Sequence, residues 1–314
     1  MEAGELSMSS PSQPRVSVVI VHWNTPELLD SCLHHLEASC EDMEMETLVV
    51  DNNSEDSGRL HLKEKPGLKI IRNSRNRGFA AAANQGAAMA RGELLLFLNT
   101  EVSLPASSLS HLVSILTSYP ELVAVAPVRI SSHGREFPGM RFLNPLNQAA
   151  SLLGLGGHGW LARRWPHVSS AGRKPVEVDW LRASTLLIRR RQFADMCGFD
   201  EGYFFYGEDE DLCWRLALQG YRVAACAHLA VVDPGGASVR LAGQEWGARE
   251  LCRGQMRFVR RRAGRLALLL FRLSTAVALA IKLAFTWLSS EPKRRKGQFS
   301  QRQMVVMIRS LWSG

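Results

Sequence analysis

Residues 15–21 read RVSVVIV, a short run rich in β-branched residues. An unbroken apolar run of this kind predicts a strand that is buried on both faces of a sheet. Residues 22–25 then turn the chain, and Pro26 is a residue favoured at the first position of a helix. Apolar residues recur at helical spacing after Pro26. The stretch therefore predicts a buried strand followed by a helix.

The same alternation continues along the chain. Further buried strands are predicted at residues 47–50, 68–71, 93–98 and 123–128, with helices at residues 79–90 and 107–117. Strands that alternate with helices in this way predict an α/β fold, in which a parallel sheet is covered by helices on both faces. We divide the chain into a leader (residues 1–14), a body (residues 15–240) and a tail (residues 241–314). The leader is polar, so we expect it to be disordered and not a signal peptide.

Composition bounds the class of protein. Of the 314 residues, 46% are hydrophobic and 22% are charged, as in a globular protein. The six cysteines form no Cys-x-x-Cys pair and fit reduced thiols. The net charge of +8 is concentrated in the tail, where sixteen Lys and Arg but only three acidic residues occur from Val239 onward. Such a tail indicates contact with nucleic acid or with an anionic membrane.

The most apolar part of the tail is residues 266–288, which Arg272 and Lys282 interrupt. Its longest charge-free run, residues 273–281, is too short to span a bilayer. On a helical wheel, five polar residues fall in one stripe, namely Arg265, Arg272, Thr275, Lys282 and Thr286. This pattern predicts a basic amphipathic helix that lies on a membrane surface. The alternative is a helical segment that packs on the body or in a homo-oligomer.

Polar side chains follow three of the predicted strands. Asn24 follows the first strand, residues 51–54 (DNNS) the second, and residues 99–101 (NTE) the fourth. Ligands of α/β sheets bind beyond the carboxyl ends of the strands, so these clusters predict a binding cleft. The alternative is that each cluster is an ordinary turn or helix cap.

The first strand is not followed by GxGxxG, so a dinucleotide fold has no support, and no GxxxxGK[ST] motif of a P-loop is present. Residues 72–79 (RNSRNRGF) instead place three Arg and a Gly before a helix. This segment suits an anion bound near backbone N–H groups. A solvated basic turn is the alternative.

Residues 208–211 (EDED) follow an aromatic run at residues 203–206 (YFFY). Acidic residues are favoured at a helix N-terminus, so one interpretation is a helix start beside core aromatics. Carboxyl groups crowded beside rings also hold their protons tightly, and a carboxylate tuned in this way can act as a general base. Asp211 and Arg215 stand four apart and should pair, which would make Asp211 the poorer base. We therefore predict Asp209 as the base.

Five motifs occur in order between residues 16 and 238: VSVVIVHWN, VVDNNS, NRGFAAAANQG, LLLFLNTE and GFDEGYFFYGEDEDLCWR. In this combination they resemble the family 2 glycosyltransferases of the inverting, nucleotide-sugar-dependent kind, and within them the bacterial rhamnosyltransferase-like enzymes. The resemblance implies a Rossmann-like domain of the nucleotide-diphospho-sugar transferase (GT-A) type over residues 15–240. It also implies a metal-dependent hexosyltransferase.

The resemblance assigns roles to individual residues. Asp209 matches the catalytic base, and Trp180, Glu208 and Asp211 would lie on the acceptor side. Glu101 and Asp233 would bind Mg²⁺ or Mn²⁺. They replace the Asp and His usual at these places, but oxygen ligands suit such ions. The donor-binding residues would be Asn24, Asp51, Asn53, Arg75, Gly78, Asn84 and Asn99.

The expected partners follow from the family and the tail. They are a nucleotide-diphospho-sugar donor, a lipid-linked or polysaccharide acceptor, and an anionic membrane surface on the cytoplasmic side of the cell membrane. No nucleic-acid module is visible in the sequence, so nucleic acid is not expected as a partner. The alternative function is a membrane-bound protein that binds nucleotide sugars without turnover.

Overall fold

The computed structural model describes residues 14–40, 43–55, 64–131, 134–136, 141–153, 174–288 and 299–313. The leader predicted at residues 1–14 lies outside these ranges except for its last residue. Nine strands of the described chain form one sheet, in the order β3-β2-β1-β4-β8-β5-β9-β7, with β6 paired to β5. The strands are β1 (Val16–His22), β2 (Met45–Asp51), β3 (Leu68–Arg72), β4 (Leu94–Asn99), β5 (Leu122–Ser131), β6 (Gly134–Glu136), β7 (Val176–Val178), β8 (Thr185–Arg189) and β9 (Arg222–Val232).

Helices cover both faces of the sheet, as predicted. One apolar cluster joins the sheet to α1 (Pro26–Ser39) and α3 (Ser108–Ser118). A second cluster, on the other face, joins it to α2 (Phe79–Met89), α5 (Arg190–Asp195) and α6 (Glu208–Leu218). The remaining described helices are α4 (Pro145–Leu152), α7 (Ala237–Ala242), α8 (Gln244–Leu288) and α9 (Gln301–Ser310). The α/β class is confirmed.

The sheet is mixed, which corrects the expectation of a parallel sheet at the pairings of β7 and β8. Strands β1, β2, β3 and β4 are parallel, and β5 and β9 are parallel to each other. Strand β8 lies between β4 and β5 and is antiparallel to both, while β7 is antiparallel to β9. Four of the five residues of β8 are fully buried. A strand buried on both faces reads as a continuous apolar run in either direction, so its sequence does not reveal its polarity.

Helix α8 turns back on itself at Gly264, whose φ is 82° and ψ is −172°. A straight helix of 45 residues would be roughly 65 Å long. The two ends of α8 instead lie close together, because side chains in the first turn of α9 form hydrogen bonds with both of them. Gln303 Nε2 donates to Gln244 Oε1 (3.3 Å), and Gln301 Nε2 donates to Thr286 Oγ1 (3.5 Å). We call residues 244–263 the proximal arm and residues 265–288 the distal arm.

The two arms of α8 and helix α9 form a small helical bundle with its own apolar contacts. Phe271 of the distal arm and Leu311 after α9 pack with Cys252 and Met256 of the proximal arm. The proximal arm also joins the body, because Phe258 is fully buried in the cluster that includes α6. The bundle is therefore attached to the body through its proximal arm.

By length and composition alone, α8 is also apolar enough to cross a membrane. Its most apolar window of 18 residues has a mean hydropathy of 2.0, and only 22% of that window is buried.

Candidate active site

A cleft of about 670 Å³ opens beyond the carboxyl ends of the central strands. Its walls come from the segments after β1, β2, β4 and β9, from the turn before α2, and from the N-terminus of α6. Six of the predicted site residues line it: Gly78, Asn99, Glu101, Glu208, Asp209 and Asp233. The strand-end clusters that the sequence singled out thus meet at one edge of the sheet.

The segments after β1 and β2 are locked together by their polar side chains. The backbone N–H of Asn24 donates to Ser54 Oγ (2.9 Å), and Asn24 Oδ1 accepts from the Glu55 N–H (2.7 Å). Asp51 is buried, and its Oδ1 accepts from the Ser54 N–H (3.1 Å). Asn24 and Asn53 have φ values of 54° and 66°, a left-handed conformation that Asn adopts readily. These contacts fix the two turns whose neighbouring residues Trp23 and Asn52 line the cleft.

Asn52 lines the cleft, and the sequence analysis did not assign it a role. Its Nδ2 donates to Asn76 Oδ1 (2.9 Å) and to the Gly78 carbonyl (3.2 Å), while its Oδ1 accepts from the Arg77 N–H (3.0 Å). This side chain fastens the basic turn after β3 to the end of β2. In the sequence, the available signal for this role was an Asn directly after a predicted buried strand. Asn52 is buried in the structure, and a buried amide needs several hydrogen-bond partners.

Gly78 brings the basic turn against the aromatic segment before α6. Its φ is 80°, and a Cβ at this position would clash with the backbone of Phe204. The Phe79 N–H donates to the Phe204 carbonyl (2.9 Å). The turn and the aromatic segment therefore form one continuous wall of the cleft.

Seven predicted site residues lie outside the lining of the cleft: Asn24, Asp51 and Asn53, described above, Asp211, described below, and Arg75, Asn84 and Trp180. Arg75 is exposed to solvent. Asn84 clamps the segment before α6 through its side chain, which donates to the Phe199 carbonyl (2.8 Å) and accepts from the Phe199 N–H (2.8 Å). Trp180 is half-buried, and the Arg182 guanidinium lies 5.8 Å above its ring.

Glu101 and Asp233 both line the cleft and lie close enough to interact electrostatically. Glu101 Oε2 accepts from the Ala237 N–H (2.7 Å). Burial raises the pKa of Glu101 above its ordinary value, and the nearby Asp233 raises it further. Both carboxylate oxygens of Asp233 are buried without a hydrogen-bond partner, and the closest cation is Arg129, whose Nη1 is 3.7 Å from Oδ2.

Unsatisfied buried carboxylate oxygens are costly unless a donor or a cation reaches them. The Glu101–Asp233 pair therefore fits a hard divalent cation, whose other ligands would come from bound ligand or water. Within the described ranges, no group of three or more His, Cys, Asp or Glu residues is arranged to hold a metal by itself.

The acidic start of α6 brings two further carboxyl groups to the cleft. Glu208 is buried, its Oε2 has no hydrogen-bond partner, and burial together with Asp209 raises its pKa to about 8. Asp209 Oδ2 accepts from the Ala183 N–H (3.2 Å), and its Oδ1 accepts from the Glu210 N–H (2.9 Å). Burial also raises the pKa of Asp209, against these N–H groups and the charge of Arg182.

Asp211 points away from the cleft and is fully buried. Its Oδ2 lies 2.7 Å from Arg215 Nε and its Oδ1 lies 3.0 Å from Arg261 Nη1, while the Tyr203 hydroxyl donates to Oδ1 (3.3 Å). The predicted pair of Asp211 with Arg215 is confirmed. This geometry places Asp211 in a buried ion-pair network behind the cleft.

Three arginines line the cleft and were not singled out in the sequence, namely Arg129, Arg182 and Arg240. They come from β5, from the segment before β8 and from α7, which are far apart along the chain. Their charges act on the acidic groups here, since Arg182 lowers the pKa of Asp209 and Arg240 lowers that of Glu101. Only the folded chain brings them together, so no local motif could have identified them.

The sequence is similar to several bacterial proteins. It is 28% identical over 256 residues to the O-antigen biosynthesis protein RfbC of Myxococcus xanthus, covering 76% of this chain and 20% of that protein. It is 29% identical over 225 residues to the N-acetylglucosaminyl-diphospho-decaprenol L-rhamnosyltransferase of Mycobacterium tuberculosis, covering 65% of this chain and 71% of the relative. The chain thus spans about a fifth of the first relative and about 70% of the second.

The fold is similar to that of solved glycosyltransferases. A mannosyltransferase from Pyrobaculum calidifontis in complex with GDP-Man and Mn²⁺ superposes with a TM-score of 0.58 at 17% identity, covering 96% of this chain and 88% of that one. GalNAc-T7 with UDP, GalNAc and Mn²⁺ gives a TM-score of 0.53 at 18% identity, covering 70% and 43% of the two chains. Residues 17–166 match the sequence profile of Glycosyl transferase family 2. Over these residues, the chain is similar to glycosyl transferase family 2.

Proposed function

We propose that this protein transfers a sugar from a nucleotide-diphosphate donor to a hydroxyl group of an acceptor, with inversion at the anomeric carbon. One observation carries the proposal: a single cleft brings together Asp209, the Glu101–Asp233 pair and the turn around Gly78. A sugar nucleotide already has a good leaving group. The enzyme therefore needs only to offset the diphosphate charges and to deprotonate the acceptor.

Asp209 is the proposed base. Its carboxylate is held by the N–H groups of Ala183 and Glu210, so it has a fixed direction in the cleft. The raised pKa makes it a stronger base than an exposed aspartate, and such positioned bases contribute about 10²- to 10⁴-fold in rate. The proton of the acceptor hydroxyl would pass to Asp209 as its oxygen attacks the anomeric carbon.

Glu101 and Asp233 are the proposed ligands of Mg²⁺ or Mn²⁺. When bound, the ion would offset the charge on the donor diphosphate and stabilise the departing nucleotide. The unpartnered oxygens of Asp233 support this assignment. Arg129 and Arg240 line the same part of the cleft and would add positive charge there.

For the sugar, we propose rhamnose or a similar hexose. Relatives named rhamnosyltransferases support this choice: the protein of M. tuberculosis, and WbbL of Escherichia coli, which is 52% identical over 46 residues that cover 15% of this chain and 17% of that one. We propose a lipid-linked or polysaccharide acceptor in cell-envelope glycan synthesis. We also propose that the protein lies on the cytoplasmic face of the membrane.

A second candidate is a membrane-bound protein that binds nucleotide sugars without turnover. One observation favours it, since Arg129 lies 3.7 Å from the Asp233 carboxylate and could take the place of a metal ion.

Label transfer separates the two candidates. The purified chain is incubated with a panel of radiolabelled nucleotide sugars, a bacterial lipid extract and Mn²⁺ or Mg²⁺, and the label in the lipid phase is counted. We expect transfer from one donor or a few, and its loss with excess chelator. Donor binding without transfer from any donor would favour the second candidate, and full transfer in chelator would remove the metal from the proposal.

A further inference from the structure

The outward face of the distal arm is an apolar stripe. Six of its residues are exposed: Leu266, Leu269, Leu270, Leu273, Val277 and Ile281. Leu266 is 71% exposed and Val277 is 58% exposed. Because these positions recur at spacings of three and four, they lie along one side of the helix. A soluble surface helix normally turns its polar side outward.

The polar residues of the same arm are turned inward. Thr275 is fully buried, and the Arg272 guanidinium lies 5.8 Å above the ring of Trp312, next to α9. Thr286 Oγ1 donates to the Leu283 carbonyl (2.8 Å). From Arg272 to Thr286, the polar stripe predicted on the helical wheel is therefore buried or half-buried, while Arg265 at its start is exposed. This inverted arrangement suits a surface whose surroundings are apolar.

The charge around the stripe has one sign. No acidic residue occurs between Glu250 and Glu291 in the sequence. Arg260 and Arg265 are exposed near the turn between the arms, and Arg302 and Arg309 are exposed on α9. Within the described part of the chain, none of these four forms a salt bridge to a carboxylate. An apolar stripe flanked by arginines is complementary to an anionic lipid surface.

We infer that the outward face of the distal arm docks on an anionic lipid bilayer, with the stripe from Leu266 to Ile281 among the acyl chains. The bundle lies on the membrane and does not cross it, because the inner side of the distal arm packs on Cys252 and on α9. A second copy of the chain is the competing occupant. A symmetric dimer through this face would bring the arginines of both copies together, which opposes it.

This inference deepens the proposed function, since it identifies the surface that would bring the cleft to a lipid-linked acceptor. Its test needs no transfer reaction, so it can fail while the proposed reaction stands, and the reverse is also true.

The test is co-sedimentation of the full chain with vesicles of phosphatidylcholine and phosphatidylglycerol, and with vesicles of phosphatidylcholine alone. We expect binding to the anionic vesicles that weakens with added salt. Val277→Asp should lower the vesicle partition coefficient at least about tenfold, because a charge replaces a side chain in the apolar layer. Leu218→Asp is the matched control, since Leu218 is 65% exposed on α6 of the body, and it should bind like the wild type.

Two further measurements make the result decisive. Leu269→Asp, one turn from Leu273 on the same stripe, should repeat the loss, and thermal unfolding should show that both variants are folded. Light scattering without vesicles should give the same mass for the wild type and Val277→Asp. The inference is overturned if folded Val277→Asp and Leu269→Asp bind vesicles as well as the wild type. It is also overturned if the wild type ignores vesicles and Val277→Asp only turns a dimer into a monomer.

Discussion

At the scale of residues, neighbouring acids of α6 have different surroundings. Asp209 faces the cleft, and its carboxylate accepts only backbone N–H groups. Asp211 is two residues further on and is enclosed by Arg215, Arg261 and Tyr203. The carboxylate of Asp209 is therefore available to a substrate, whereas the carboxylate of Asp211 is occupied by contacts within the protein.

Glu210 gives a prediction about pH. Its Oε1 accepts from the Leu143 N–H, and burial raises its pKa to about 8 from an ordinary value of 4.5. The folded chain therefore holds a proton that the unfolded chain releases above pH 4.5. The stability contributed by this group is fully present below pH 4.5 and is lost as the pH rises through about 8.

Glu210→Gln keeps an oxygen for the Leu143 N–H but cannot ionise. We expect its free energy of unfolding to exceed that of the wild type increasingly as the pH rises from 5 to 9, as measured by urea denaturation. Glu177→Gln is the control, because Glu177 is an exposed residue of β7. Equal pH dependence in wild type and Glu210→Gln would contradict the burial argument.

At the scale of elements, α6 is fixed to its surroundings by the Asp211 network. Arg261 of the proximal arm and Arg215 of α6 both reach this buried carboxylate. Removing one partner of a buried ion pair costs about 3–5 kcal/mol, because the other charge stays buried without compensation. Asp211→Asn should therefore lower the free energy of unfolding by about that amount, while the folded fraction keeps its donor Kd.

Chemical denaturation and calorimetric donor binding would check this expectation. Wild-type stability combined with complete loss of transfer in Asp211→Asn would instead make Asp211 the base.

Much of this architecture could be predicted from local patterns. The β-branched run at the start, the Pro26 helix and the helix that begins at Glu208 were predicted to within a few residues. Local sequence also predicted that the clusters after β2 and β4 meet at the cleft, because the carboxyl ends of parallel strands share an edge, whereas Asn24 after β1 is not among the lining residues.

What local sequence could not predict depends on contacts between distant segments. The direction of β8 is set by its neighbours β4 and β5. The roles of Asn52 and Arg182 come from partners elsewhere in the chain. The turn of α8 at Gly264 was hidden because both arms have helical periodicity, and a Gly inside a helical pattern is tolerated.

At the scale of the whole molecule, the tail and the body are not separated at residue 240. Trp246 of the proximal arm lines the cleft, and Phe258 is buried with Phe142 and Trp214. Gly254 lies so close to the Tyr206 carbonyl that a Cβ there would clash. The boundary predicted between residues 240 and 241 therefore falls within packed structure, since Gln244 and Trp246 line the cleft and the residues around Phe258 pack on the body.

Truncation tests this account of the tail. Removing residues 266–314 would expose Cys252 and Met256, which pack against Phe271 and Leu311. We expect the truncated chain to lose at least about 3 kcal/mol of stability, since the loss of one buried Phe alone costs that much. Urea denaturation would measure the loss. A truncated chain as stable as the intact one would show that the bundle adds nothing to the body.

The central claim is that Asp209 takes the proton of the acceptor in a single displacement. The most direct measurement is kcat for wild type and Asp209→Asn, with the donor Kd measured on the same preparations. The substitution is nearly isosteric, and its amide oxygen can still accept an N–H bond. We predict an unchanged Kd and a kcat lowered at least about 10²-fold. A folded Asp209→Asn variant that turns over at the wild-type rate would contradict the account.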